Sequence, residues 1–192
     1  MMLAQLLDHW GDTCTDRESS MSTYRTDAKI RYAEIMLQEL RDRPGRQGDD
    51  YQRSHEEAFL YHLYGAVDAF LHEVNTHHQF GLTEKEVSLQ RLQQVLTKSH
   101  KASPAIQEVV RLGQPSTGLL YRIQQWRHQA THRGGTPRTF YVGGPEDGER
   151  RLTDPATGQP ASSGILDEFA AAVAEAKATI LSLRVQLAAT PP

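Results

Sequence analysis

The chain has 192 residues and a net charge of −3, with 38% apolar and 23% charged residues. That composition supports a packed core and excludes wholesale disorder. Its longest apolar runs fall far short of the roughly 20 residues that cross a bilayer as a helix, and the acidic balance excludes a surface that attracts polyanions everywhere.

The single cysteine, Cys14, leaves no intrachain disulfide and no cysteine-based zinc site. The opening MMLAQLLDHWGDTCTD has no basic start ahead of an apolar stretch, so a secretory signal is not expected and a cytoplasmic setting is. Residues 1–22 read as a flexible N-terminal extension with Met21 as an alternative start, and residues 23–189 as one helical-bundle domain.

From Tyr24 the apolar period is helical, with Ala28, Tyr32, Ile35, Met36 and Leu40 on one stripe that Pro44-Gly45 ends. The segment from Tyr51 to Phe80 carries the strongest pattern, Phe59, Leu60, Leu63, Val67, Phe70, Leu71 and Val74 at spacings of three and four. Phe59, Leu63, Val67, Phe70 and Val74 are expected to be buried together with Ile123 and Trp126. Gly81 closes this helix, and Thr83 with Glu86 predicts a capping box for a third helix ending near Lys101. A short helix from Ser103 to Leu112 has Pro104 in its first turn, and Ser116 or Thr117 caps another that runs to about Thr131.

Residues 133–164 read as a long loop rich in glycine and proline, with Thr139–Val142 and Glu149–Leu152 as a small hairpin. Residues 143–162 are expected to be the least ordered internal segment. A last amphipathic helix spans about Ser163 to Leu187. The fold class is all-α, an up-and-down bundle of four to five main helices with a long loop before the last.

Between Glu108 and Glu146 there is no acidic residue, yet Arg111, Arg122, Arg127, Arg133 and Arg138 fall there. Such a cluster points to phosphate or another polyanion, with Arg122, Arg133 and Arg138 as candidate RNA-binding or phosphate-binding residues. Chance clustering on a solvated face is the competing reading.

Inside the cluster, Arg127 and His132 are separated by four residues, with His128 directly after the arginine, before Gly134-Gly135. This resembles the R-x4-6-H signature of the HEPN superfamily, small helical bundles of which many are metal-independent endoribonucleases. These act as dimers in bacterial toxin–antitoxin and phage-defence systems, while others are non-catalytic modules that bind RNA or protein. The resemblance implies His132 as acid/base, Arg127 as the charge stabiliser and His128 as a polar helper. It also implies no cofactor, a homodimer, and RNA or an antitoxin protein as partner. Metal-free RNA cleavage needs a proton shuttle near neutral pH and a fixed cation for the phosphorane, which imidazole and guanidinium supply. On an ideal helix the Arg127 and His132 directions differ by about 140°, so convergence needs an unwound last turn or a two-fold axis.

His128-x3-His132 is also an i, i+4 metal-ligand spacing, similar to the H-x3-H of DinB-like bundles, with His55, His62, His72, His77 or His78 as a third ligand. The helical wheel turns His128 and His132 away from the core, which weighs against it. A solvated helix end, with Arg127 snorkelling over Trp126, is the bland alternative.

The stretch FLYHLYGAVDAFLHEVN, Phe59 to Asn75, resembles a small, uncharacterised family of bacterial helical proteins. Opposite its core stripe it carries Tyr61, Gly65, Asp68 and His72, and a tyrosine with a glycine on a wet face implies a close neighbour. A dimer partner or the final helix is expected there.

Overall fold

The computed structural model describes residues 24–43, 50–115, 118–132 and 135–192. The expected N-terminal extension, residues 1–22, lies outside the described residues. Helix α1 covers residues 24–42. It is followed by α2 (Asp50–His77), α3 (Leu89–Lys98), α4 (Pro104–Leu112), α5 (Leu119–His132), β1 (Arg138–Phe140), β2 (Arg150–Leu152) and α6 (Ile165–Ala188). The described residues form an all-α bundle of four long and two short helices with one two-stranded ribbon, and none of these helices is long and apolar enough to cross a membrane.

The stripe on α2 determines the packing. Phe59 and Leu63 are fully buried with Ile123 and Trp126 of α5 and Phe169 and Val173 of α6. Phe59 stacks on Phe169 with ring centres 4.4 Å apart. One turn further on, Val67, Phe70 and Val74 join a second cluster with Leu92, Leu96, Ile106 and Val109 of the short helices and Ile180 and Leu183 of α6. All seven residues expected in the core are buried, divided between two adjoining clusters.

Helix boundaries follow local chemistry. Thr83 N and Oγ1 both donate to Glu86 Oε2, at 2.9 and 2.7 Å, while Glu86 N donates to Thr83 O rather than to the hydroxyl, so one half of the expected capping box forms. That half closes a single turn, and α3 starts only after Ser88, whose hydroxyl accepts from Arg91 N. Ser103 caps α4 with Pro104 at the first position. Asp167 and Glu168 occupy the first turn of α6, where the helix dipole favours negative charge.

The segment before α6 is tied down more closely than its composition indicates. The hairpin is shorter than expected, pairing Arg138 with Leu152, Thr139 with Arg151 and Phe140 with Arg150. Leu152 is completely buried in the cluster around Phe169. Trp126 Nε1 donates to Thr153 O at 3.0 Å, and Ala161 N donates to Leu152 O at 2.7 Å. One apolar anchor and a tryptophan hold the loop against the bundle.

Candidate functional site

Helix α5 carries the residues with candidate chemistry, and its position depends on Gly118. A Cβ there would lie 1.6 Å from Leu112 O, so only glycine lets the start of α5 cross the end of α4 at this distance. Leu119, Leu120, Ile123 and Trp126 then fill the core side of α5. Arg127 follows, half-buried at the seam with α2, and His128 and His132 are exposed beyond it.

The Arg127 guanidinium carbon lies 5.0 Å over the Tyr64 ring centre and 5.5 Å over that of Tyr61. It is thus held by cation–π contacts on α2 rather than over Trp126. The rings of His128 and His132 lie 4.9 Å apart. A surface recess of about 370 Å³ is lined in common by Arg127, His128, Thr131 and His132. Among the described residues no hydrogen bond joins Arg127 to either histidine. Arg127 therefore shares a recess with two histidines that meet ring to ring, without a hydrogen bond to either.

Three other arginines of the acid-free segment are matched by carboxylates. Arg111 pairs with Glu108 at 2.6 Å and Arg122 with Glu175 at 2.7 Å. Arg138 turns inward to Glu56, a carboxylate with 1% side-chain exposure, and Thr136 Oγ1 donates to the same group at 2.8 Å. Arg133 lies outside the described residues. A segment that reads as unneutralised in sequence is largely neutralised in space, and Arg127 keeps no carboxylate within ion-pair distance among the described residues.

None of the histidines considered as a third metal ligand is among the residues lining this recess. His55 Nδ1 lies 2.8 Å from Tyr51 O, His77 Nε2 lies 2.8 Å from Thr190 O, and His78 stacks on Phe80. His62 sits edge-on to Tyr32 and Tyr61. Among the described residues no three His, Cys, Asp or Glu side chains converge on one point.

The wet face of α2 has the close neighbour that Gly65 implies, but it is the first helix. Lys29 of α1 lies across the glycine, its Cδ 3.5 Å from where a Cβ would be, and its Nζ sits 4.9 Å over the Tyr61 ring. Tyr61, Gly65, Asp68 and His72 carry a local signal in their spacing on α2. Lys29 and Tyr64 carry none, because their roles depend on where α1 and α5 pass. Burial raises the Asp68 carboxyl above its usual pKa, against the pull of Arg127, His72 and Lys29. Burial lowers the pKa of His72 and raises that of Tyr64.

Comparison with protein-family models, curated proteins and solved structures finds no match.

Proposed function

We propose that this protein is a non-catalytic HEPN-like helical module that contacts RNA phosphates through the recess on α5. The observation that carries this reading is the common lining of one recess by Arg127, His128 and His132. A guanidinium without a carboxylate partner supplies the charge, and two exposed imidazoles supply hydrogen bonds to phosphate oxygens or base edges. The lateral contacts to Tyr61 and Tyr64 hold the guanidinium in place before ligand arrives. Fluorescence anisotropy with labelled single-stranded RNA tests it. Arg127→Ala and His132→Ala should each weaken binding, and equal affinity in all three proteins overturns the reading.

A second reading, the metal-independent endoribonuclease of a toxin or phage-defence system, is favoured by the 4.9 Å approach of the two histidine rings beside Arg127. Cleavage would need Arg127 to leave its tyrosines, or a second α5 brought up by a homodimer with a two-fold axis near this helix. RNA incubated with the wild type and Arg127→Ala, with and without EDTA, separates the two readings. Cleavage that survives EDTA and disappears in the variant replaces the first reading by the second.

A further inference from the structure

A second, smaller cavity lies on the other side of Arg127, where α1, α2 and α5 meet. Its volume is about 170 Å³, and its lining is polar. Lys29 and Arg127 enter it from opposite helices and share Tyr61, each within 5.5 Å of that ring's centre. Among the described residues neither cation is paired with a carboxylate. Arg25 at the rim, by contrast, is bound by Glu84 at 2.7 Å. Two unneutralised cations facing one space repel each other, and tyrosine faces offset only part of that repulsion. The Lys29 stem lies along α2 at Gly65, with Nζ 3.8 Å from where a Cβ of that residue would be.

The wall also holds Asp68 and His72. Burial disfavours the charged form of each, and Asp68, the one carboxylate among the described lining residues, attracts both cations without forming an ion pair with either. The cavity has room for a tetrahedral oxyanion.

We infer that the cavity between Lys29 and Arg127 binds a phosphoryl group, either as inorganic phosphate or as the terminal phosphate of a monoester. Lys29 acts as a mobile point charge and Arg127 as a planar donor fixed by its tyrosines. This inference does not rest on RNA being a ligand, since it is read with phosphate alone.

The test is calorimetric titration of the full chain with sodium phosphate at constant ionic strength set by sodium chloride. Saturable binding is expected, weakened about tenfold or more in Lys29→Gln, as for loss of one charge-assisted hydrogen bond. Lys29→Arg should retain binding, and Lys177→Gln on α6 serves as the charge-matched control that binds as wild type does. A nucleoside 5′-monophosphate that binds with the same dependence on Lys29, while its nucleoside does not, identifies the monoester as the source. Thermal melts of each variant establish that it is folded. Absence of saturable binding to the wild type, or equal affinity in folded Lys29→Gln, overturns the inference. RNA binding that fails while phosphate binding stands removes only the reading of the α5 recess.

Discussion

Arg138 donates to the carboxylate of Glu56, 82 residues earlier in the chain, and Thr136 donates to the same oxygen. The pair ties the first strand of the hairpin to the second turn of α2, and the Glu56 side chain is 1% exposed. Removing the guanidinium leaves a buried carboxylate uncompensated. Arg138→Met should therefore destabilise the protein by about 3–5 kcal/mol in urea unfolding, and Glu56→Gln combined with Arg138→Met by clearly less. A single variant as stable as the wild type would show that the pair is not formed in solution.

This pair also shows where the sequence stops being informative. The α2 stripe was readable because burial on one face imposes a spacing of three and four on consecutive residues, and so were the hairpin and the Ser103-Pro104 start of α4. The neutralisation of Arg122 by Glu175 and of Arg138 by Glu56 has no such local signature. An acid-free stretch of sequence describes charge along the chain, whereas an ion pair depends on which helices cross. The same limit applies to Arg127, whose wheel position indicates the edge of the core and not the tyrosines that hold it. Gly65 and Tyr61 did announce a close neighbour, but nothing local identifies Lys29 as that neighbour.

Two glycines should respond in opposite directions. At Gly118 an added Cβ would collide with the Leu112 carbonyl, so Gly118→Ala should cost about 1–3 kcal/mol or more through forced movement of α4 against α5. At Gly65, in the interior of α2, the nearest atom would be Lys29 Cδ at 3.5 Å, an ordinary contact. Gly65→Ala should then stabilise by up to about 1 kcal/mol, the helix-propensity difference between the two residues. Chemical denaturation of both variants checks the pair, and a stabilised Gly118→Ala would contradict the crossing.

The hairpin segment should exchange unevenly. Thr153 N donates to Pro137 O at 2.9 Å and Ala161 N to Leu152 O at 2.7 Å, around the buried Leu152 anchor. Amide exchange by mass spectrometry or NMR should find these two amides among the slowest between residues 136 and 164. Leu152→Ala should accelerate both and destabilise by about 2–5 kcal/mol. Uniformly fast exchange across residues 143–162 would favour the composition-based expectation over the anchored hairpin.

Acidification should weaken the fold through histidine. His62, His72 and His78 all have pKa values lowered from 6.5, in each case first by burial. His77 and Lys101 push His78 in the same direction. The unfolded chain therefore binds these protons before the folded one does. Stability is complete above about pH 6.5 and falls as pH drops from there through the depressed folded values. Asp68, raised from 3.8, acts with the opposite sign in the window just above that value, where the folded state takes up a proton first. The urea midpoint should decline as pH is lowered from about 6.5 to about 5.5, and His78→Leu should flatten the decline. An unchanged slope in the variant would remove His78 from the account.

The salt dependence of RNA binding measures how many cations reach the ligand. Five arginines contacting a single strand would give a log–log slope near −3.5, at about −0.7 per phosphate. Arg111, Arg122 and Arg138 are held by Glu108, Glu175 and Glu56. Opening those pairs would leave carboxylates facing the same phosphates, so these arginines contribute little net charge. With Arg127 as the principal contact, the slope should lie between about −0.7 and −2. Arg127→Ala should make it shallower by about 0.7, whereas Arg122→Gln should leave it unchanged. Anisotropy titrations from about 50 to 300 mM salt give both values, the range over which counterion release dominates. A slope steeper than about −3, reduced equally by Arg122→Gln, would mean that RNA displaces Glu175 and recruits the whole segment. The footprint would then be the linear arginine cluster of the sequence, and the recess around Arg127 and the two histidines would be one contact among several.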